Sequence, residues 1–175
     1  QPRESELSYG QRALWFLHQL APDSAAYNIS AAARIHSTID ITALQQSLQM
    51  LIDRHPALRT TFPVEAETPL QRVNDFVTID LNQEDVSHLN EAEFADYVKE
   101  ETVRPFDLSN EPLLRVSIFE RTTQEYVLLF VAHHMVSDFW SMALLINELI
   151  TIYQSQTAGL STELTPLPVN YLDYS

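Results

Sequence analysis

Residues 132–141 read Ala132-His133-His134-Met135-Val136-Ser137-Asp138-Phe139-Trp140-Ser141, and what lies on either side of them decides the fold. Before them, Tyr126 to Ala132 (YVLLFVA) is a short unbroken apolar run, the pattern of a strand covered on both faces. After them, Phe139, Ala143, Ile146, Leu149, Ile150 and Tyr153 recur at spacings of three and four. That stripe predicts an amphipathic helix closing near Gly159, with Ser137 or Asp138 as its N-cap. Two adjacent histidines therefore stand where a buried strand gives way to a helix, with an aspartate four positions after the second. Consecutive strand residues point to opposite faces, so the pair divides: one imidazole is free to work and the other is structural. An imidazole takes up and releases a proton near neutral pH, which suits it to general base catalysis at a strand end. The plain structural alternative is a histidine pair bonded to backbone and an aspartate that only caps its helix.

Working outward, the chain of 175 residues has the size of one ordinary domain, and a 45% hydrophobic content is enough for a core. No cysteine is present, which excludes disulfides, thiolate metal sites and a cysteine nucleophile. With 2 glycines in all, a nucleotide-binding fingerprint is excluded as well. No apolar run reaches the roughly 20 residues of a membrane helix, and the first ten residues lack the regions of a signal peptide, so a soluble cytoplasmic protein without a membrane partner is expected. A net charge of -14 argues against a nucleic acid partner. Between Glu65 and Glu111 there are 13 acidic and 3 basic residues, a pattern that fits a solvated face or a docking surface for a basic partner.

Leu7, Leu14, Trp15, Leu17 and Leu20 predict an opening helix that Ala21-Pro22-Asp23 stops. Tyr27 to Ile39 reads as a strand, and Thr42 to Arg54 as a helix on the stripe Leu44, Leu48, Leu51 and Ile52, ended by Pro56. Leu58 to Phe62, Leu70 to Val73 and Phe76 to Leu81 read as short strands. Glu91 to Arg104 reads as a helix with Phe94, Tyr97 and Val98 inward. Leu113 to Glu120 and Glu125 to Ala132, joined by Arg121-Thr122-Thr123-Gln124, form the plainest hairpin. The class predicted is layered α/β (α+β), a mixed sheet with helices laid against it.

Four segments, in order, resemble the condensation domains of nonribosomal peptide synthetases. LSYGQRALWFLHQL (Leu7 to Leu20) is similar to the family's opening motif, RHPALRTTF (Arg54 to Phe62) to its RHxxLRTxF motif, AHHMVSDFWS to its HHxxxDG motif, and YLDYS (Tyr171 to Ser175) to the start of a motif that continues into a second half. The resemblance implies one chloramphenicol acetyltransferase-like lobe of a two-lobe, V-shaped domain with a tunnel between the lobes. Residues 1–175 would then be an N-terminal lobe whose C-terminal lobe is missing, inactive alone and prone to self-association through the exposed lobe interface. It also implies amide bond formation between an acyl or peptidyl thioester and the amine of an aminoacyl acceptor. Both substrates would arrive on the 4'-phosphopantetheine arms of upstream and downstream carrier proteins, and no cofactor or metal would be bound by the chain itself.

Carried over residue by residue, the resemblance makes His134 the catalytic imidazole, abstracting a proton or orienting the amine. It makes His133 a structural neighbour and Asp138 a buried carboxylate paired with an arginine. Arg54 and Arg59 become scaffold near the site, Arg59 the more inward of the two, with an arginine of the other lobe as the alternative partner of Asp138. Phe139 stands where the family usually has glycine. Either it turns into the core as the first residue of the helical stripe, or, with Ser141, it reshapes the tunnel for a polyketide-derived or fatty acyl donor. Trp140-Ser141-Met142 departs from the Ser-Trp-Arg of epimerisation domains, and heterocyclisation domains carry aspartates at the histidine positions. A stand-alone CoA-dependent acyltransferase of the same fold and a non-catalytic docking or recruitment module are the competing functions.

Overall fold

The computed structural model describes residues 3–159; the expected second-half motif at 171–175 lies outside the described residues. The central sheet has the order β2-β8-β7-β6, built from β2 (Asn28–Ile35), β6 (Asn82–Asp85), β7 (Leu114–Thr122) and β8 (Glu125–His133). β8 pairs antiparallel with both β2 and β7, whereas β6 adds parallel to β7. The β7–β8 hairpin falls where the turn residues place it. A second sheet, ordered β1-β5-β3 with β4 also on β5, is made by β1 (Arg3–Glu6), β3 (Thr60–Thr61), β4 (Val64–Glu65) and β5 (Thr68–Val73). The mixed α/β class read from the sequence is the class observed.

β8 explains where the core sits. Its even positions, Tyr126, Leu128, Phe130 and Ala132, pack with Leu44, Leu48, Leu51 and Ile52 of α2 (Ile41–Arg54) and with Met142, Leu145, Leu149 and Ile152 of α4 (Phe139–Ala158). Its odd positions, Val127, Leu129 and Val131, pack on the opposite face with Phe94 of α3 (Glu91–Val103) and with Phe106, Leu113 and Met135. Leu14 and Trp15 of α1 (Tyr9–Leu20) lie against the same cluster. A strand sandwiched between two helical layers must be apolar on both faces, which is why YVLLFVA shows no alternation.

Four readings are corrected. Phe76 to Leu81 forms no strand, because its backbone is strapped to α2 by side-chain amides instead: Gln49 and Gln45 donate to the carbonyls of Val77 and Ile79, and Gln45 accepts from the Leu81 N–H. The strand comes later, at the polar residues of β6. Leu58 belongs to a 3-10 turn over Pro56–Arg59 and only Thr60–Thr61 is extended, since proline opens a turn readily and lacks the N–H of a strand. The buried stripe of α4 is Met142, Leu145, Leu149 and Ile152. Phe139, read as its first residue, is 70% exposed and Ile150 is also outside the core. The helix is apolar on so many sides that spacing alone admits several stripes, and contact with α2 selects one. In α1 Leu17 and Leu20 likewise face outward, and the buried residue is Gln11.

Candidate active site

The period of two along β8 carries past Val131 to His133, which therefore enters the layer of α1, α3 and Phe106. There it is 2% exposed. Its ring meets His18 at 6.0 Å, Phe106 at 6.2 Å and Tyr27 at 6.5 Å between centroids. Burial, helped by the nearby His18 and His134, pushes its pKa down to about 4. Nδ1 accepts the Met135 N–H at 3.1 Å, which leaves the proton of the neutral ring on Nε2. Such an imidazole holds a turn; it does not exchange protons near neutral pH.

His134 opens that turn and is exposed. Its N–H donates to the Tyr27 carbonyl at 2.9 Å, so the backbone of the exposed histidine is tied to the residue preceding β2. The Val136 N–H closes the turn on the His133 carbonyl at 3.1 Å. Beneath it, Met135 and Val136 line a small pocket with Thr60, Phe62, Gln11 and Gln71. Gln11 Nε2 donates to Gln71 Oε1 at 2.6 Å, and Gln11 Oε1 accepts the Ser8 N–H in a capping box at the start of α1. The two glutamines seat α1 and β5 under the histidine turn, and the Ser8-x-x-Gln11 spacing was the signal in the sequence that could have marked them.

Asp138 is the N-cap of α4. Its Oδ1 accepts the Ser141 N–H at 2.6 Å, and that bond, with the nearby His134 adding to it, holds the carboxyl below the usual carboxylate range. The carboxylate is exposed, and no arginine pairs with it among the described residues. Of the expected partners, Arg54 and Arg59 are therefore excluded for Asp138, which is held as a cap at a helix N-terminus through backbone and dipole. Ser141 contributes the capped N–H. Phe139 and Trp140, 70% and 75% exposed, stand on the first turn of α4.

The arginines are placed elsewhere. Arg54 Nε and His55 Nε2 meet one oxygen of Glu148 at 3.3 and 2.7 Å, pinning the end of α2 to the middle of α4. Arg59 spends its donors on the carbonyls of Ile52, Asp53, Asn74 and Asp75. It does not turn inward to the histidines; it closes the exposed end of α2 against the segment after β5. His133, His134, Asp138 and Ser141 are therefore brought together in one junction, and Arg54 and Arg59 brace the helices behind it. Among the described residues no group of His, Cys, Asp or Glu is arranged to hold a metal, and no helix is long and apolar enough to cross a membrane.

Known proteins resemble this chain over nearly its whole length. One component of the linear gramicidin synthase of Brevibacillus parabrevis is 41% identical over 99% of the chain, and a dimodular nonribosomal peptide synthase of Bacillus subtilis (strain 168) is 38% identical over 99%. The chain spans only 2% and 7% of those two proteins. Among solved structures, the starter condensation domain of rhizomide synthetase RzmA shares the fold, with a TM-score of 0.90 at 20% identity, over 98% of this chain and 42% of that one. The X-domain in a complex with OxyB from teicoplanin biosynthesis matches with a TM-score of 0.88 at 28% identity, over 99% of this chain and 37% of that one. The family model of the condensation domain matches residues 1–175, and the chain belongs to the condensation domain family of nonribosomal peptide synthetases.

Proposed function

We propose that this chain is the first lobe of a two-lobe condensation domain and supplies the histidine side of a tunnel in which an amide bond is made. The donor, an acyl or peptidyl thioester, and the acceptor, an aminoacyl thioester, are carried on the phosphopantetheine arms of two carrier proteins. The acceptor nitrogen attacks the donor carbonyl, the C–N bond forms, the C–S bond breaks, and the nitrogen's proton ends on the departing thiol. His134 takes that proton in transit or holds the amine in line. The supporting observation is the division of the histidine pair: His133 is buried and neutral, and it fixes the turn that leaves His134 exposed at the sheet's end. Phe139 and Ser141 shape the mouth beside it, Phe139 narrowing it in favour of an acyl donor.

In the complete two-lobe domain, His134→Ala is expected to lower amide formation by about 10²–10⁴-fold, measured as product released from purified carriers. His134→Gln separates the two roles, because the amide orients an amine but accepts no proton: substantial recovery over alanine assigns positioning, none assigns base catalysis. Full activity of His134→Ala removes the reading. Phe139→Gly in the same assay shifts preference from acyl toward peptidyl donors. The 175 residues alone form no product. A second reading, a recruitment module, is favoured by the teicoplanin X-domain, which was solved in a complex with OxyB. It expects His134→Ala to leave all biosynthetic turnover untouched. A stand-alone acyltransferase would instead accept acyl-CoA in place of the donor carrier.

A further inference from the structure

We propose that Arg115 is a positioning residue for His134, acting through Phe106 and His133; this rests on the condensation reading above. Arg115 stands near the start of β7, opposite Val131 of β8. Its guanidinium lies 3.8 Å from the centre of the Phe106 ring, and it donates to the carbonyls of Pro105 at 3.0 Å and Arg104 at 2.5 Å. Asn28 of β2, opposite His133, grips the Arg104 carbonyl at 2.9 Å and that of Thr102 at 3.1 Å. The chain leaving α3 is therefore clamped from two strands at the level of the catalytic strand end.

The clamp sets the ring that follows it. Phe106 is buried and meets His133 edge to face, at 89° between planes. His133 holds the Met135 N–H, and Met135 is buried too. Direct contacts thus run from Arg115 through Phe106 and His133 to the turn that begins at His134, with close-packed groups at each link and little room for slack.

Holding a cation here is costly. Arg115 Nε is buried without a hydrogen-bond partner, and no carboxylate forms an ion pair with the group among the described residues. Burial and the like charge of Arg104 lower its pKa. An apolar side chain of the same length would cover Phe106 without that cost. What the planar guanidinium adds is a fork that holds two carbonyls while its face lies on the ring.

The test uses the complete two-lobe domain with carrier-bound donor and acceptor, reading kcat and KM per folded molecule and the imidazole ¹⁵N shifts of His133. Arg115→Met is expected to lower kcat by about 10²-fold with KM for both carriers unchanged, and to move the His133 Nδ1 signal as its bond to Met135 loosens. Arg115→Lys restores part of kcat. Phe106→Leu, which keeps the burial but removes the ring, reproduces the Met phenotype and serves if Arg115→Met fails to fold. Wild-type kcat with unmoved His133 signals in these variants overturns the proposal. A His134→Ala domain of undiminished activity would instead remove the condensation reading, and the imidazole shifts would still decide whether Arg115 controls His133.

Discussion

The pKa of His133, pushed from 6.5 down to about 4, ties the stability of the fold to pH. Once unfolded, the same imidazole takes a proton near its ordinary pKa, so between pH 6.5 and 4 the unfolded chain binds a proton that the folded chain refuses. Stability from this group is therefore complete above about pH 6.5 and is lost as pH falls toward 4, by on the order of 3 kcal/mol. His133→Asn keeps an oxygen acceptor for the Met135 N–H and cannot titrate. Urea midpoints of the wild type should fall more steeply across that window than those of the variant, because the carboxylates that also titrate there are common to both. Parallel curves would refute the assignment. At this scale the sequence was legible in part: the parity of Val127, Leu129 and Val131 leads to His133 as the buried member of the pair. The ring that meets it, Phe106, comes from a distant loop, and no local pattern announces it.

Among the elements, α4 depends on its first turn. Asp138 carries the side chain that caps it, and Asp138→Ala is expected to cost about 1 kcal/mol. Asp138→Asn, which keeps the accepting oxygen, should recover most of that loss; thermal melts of the three proteins check it, and an asparagine variant as weak as alanine would mean that charge, not the cap, matters. The sequence narrowed this cap to Ser137 or Asp138, both N-cap residue types directly before the helical stripe, and the bond to Ser141 selects Asp138. The arginine partner came only from family resemblance and has no counterpart among the described residues. The stripe itself was misplaced for a physical reason. Leu144, Ile146 and Ile150 make α4 apolar around most of its circumference, and only packing on α2 determines which residues turn in. Likewise, Gln45 and Gln49 satisfy the backbone of 77–81 from a helix about thirty residues away in sequence, a partnership that strand propensity does not register.

For the whole molecule, two opposed features govern behaviour in solution. Phe16 and Leu20 of α1 and Phe139 and Trp140 of α4 are large apolar side chains more than half exposed, and exposed apolar surface of this kind favours association. A net charge of -14 opposes it. The chain should therefore stay monomeric at low ionic strength and self-associate as salt shortens the reach of the repulsion to about 10 Å at 0.1 M. Sedimentation velocity across a salt series reads this directly, and Phe139→Ser with Trp140→Ser should abolish the salt-induced species. A monomer at every salt concentration would show that these side chains form no adhesive surface.

The pairing of β2 with β8 brings Asn28 opposite His133, joining segments on the order of 100 residues apart, the kind of contact that slows folding because a long loop must close first. During synthesis β2 emerges early and has no strand beside it until the β7–β8 hairpin is complete. The Tyr27 carbonyl that holds the His134 backbone is idle for just as long. The histidine junction therefore cannot become native before β8 is complete, and a nascent chain stalled before residue 133 would also lack Met142, Leu145, Leu149 and Ile152, the share of the core that α4 brings.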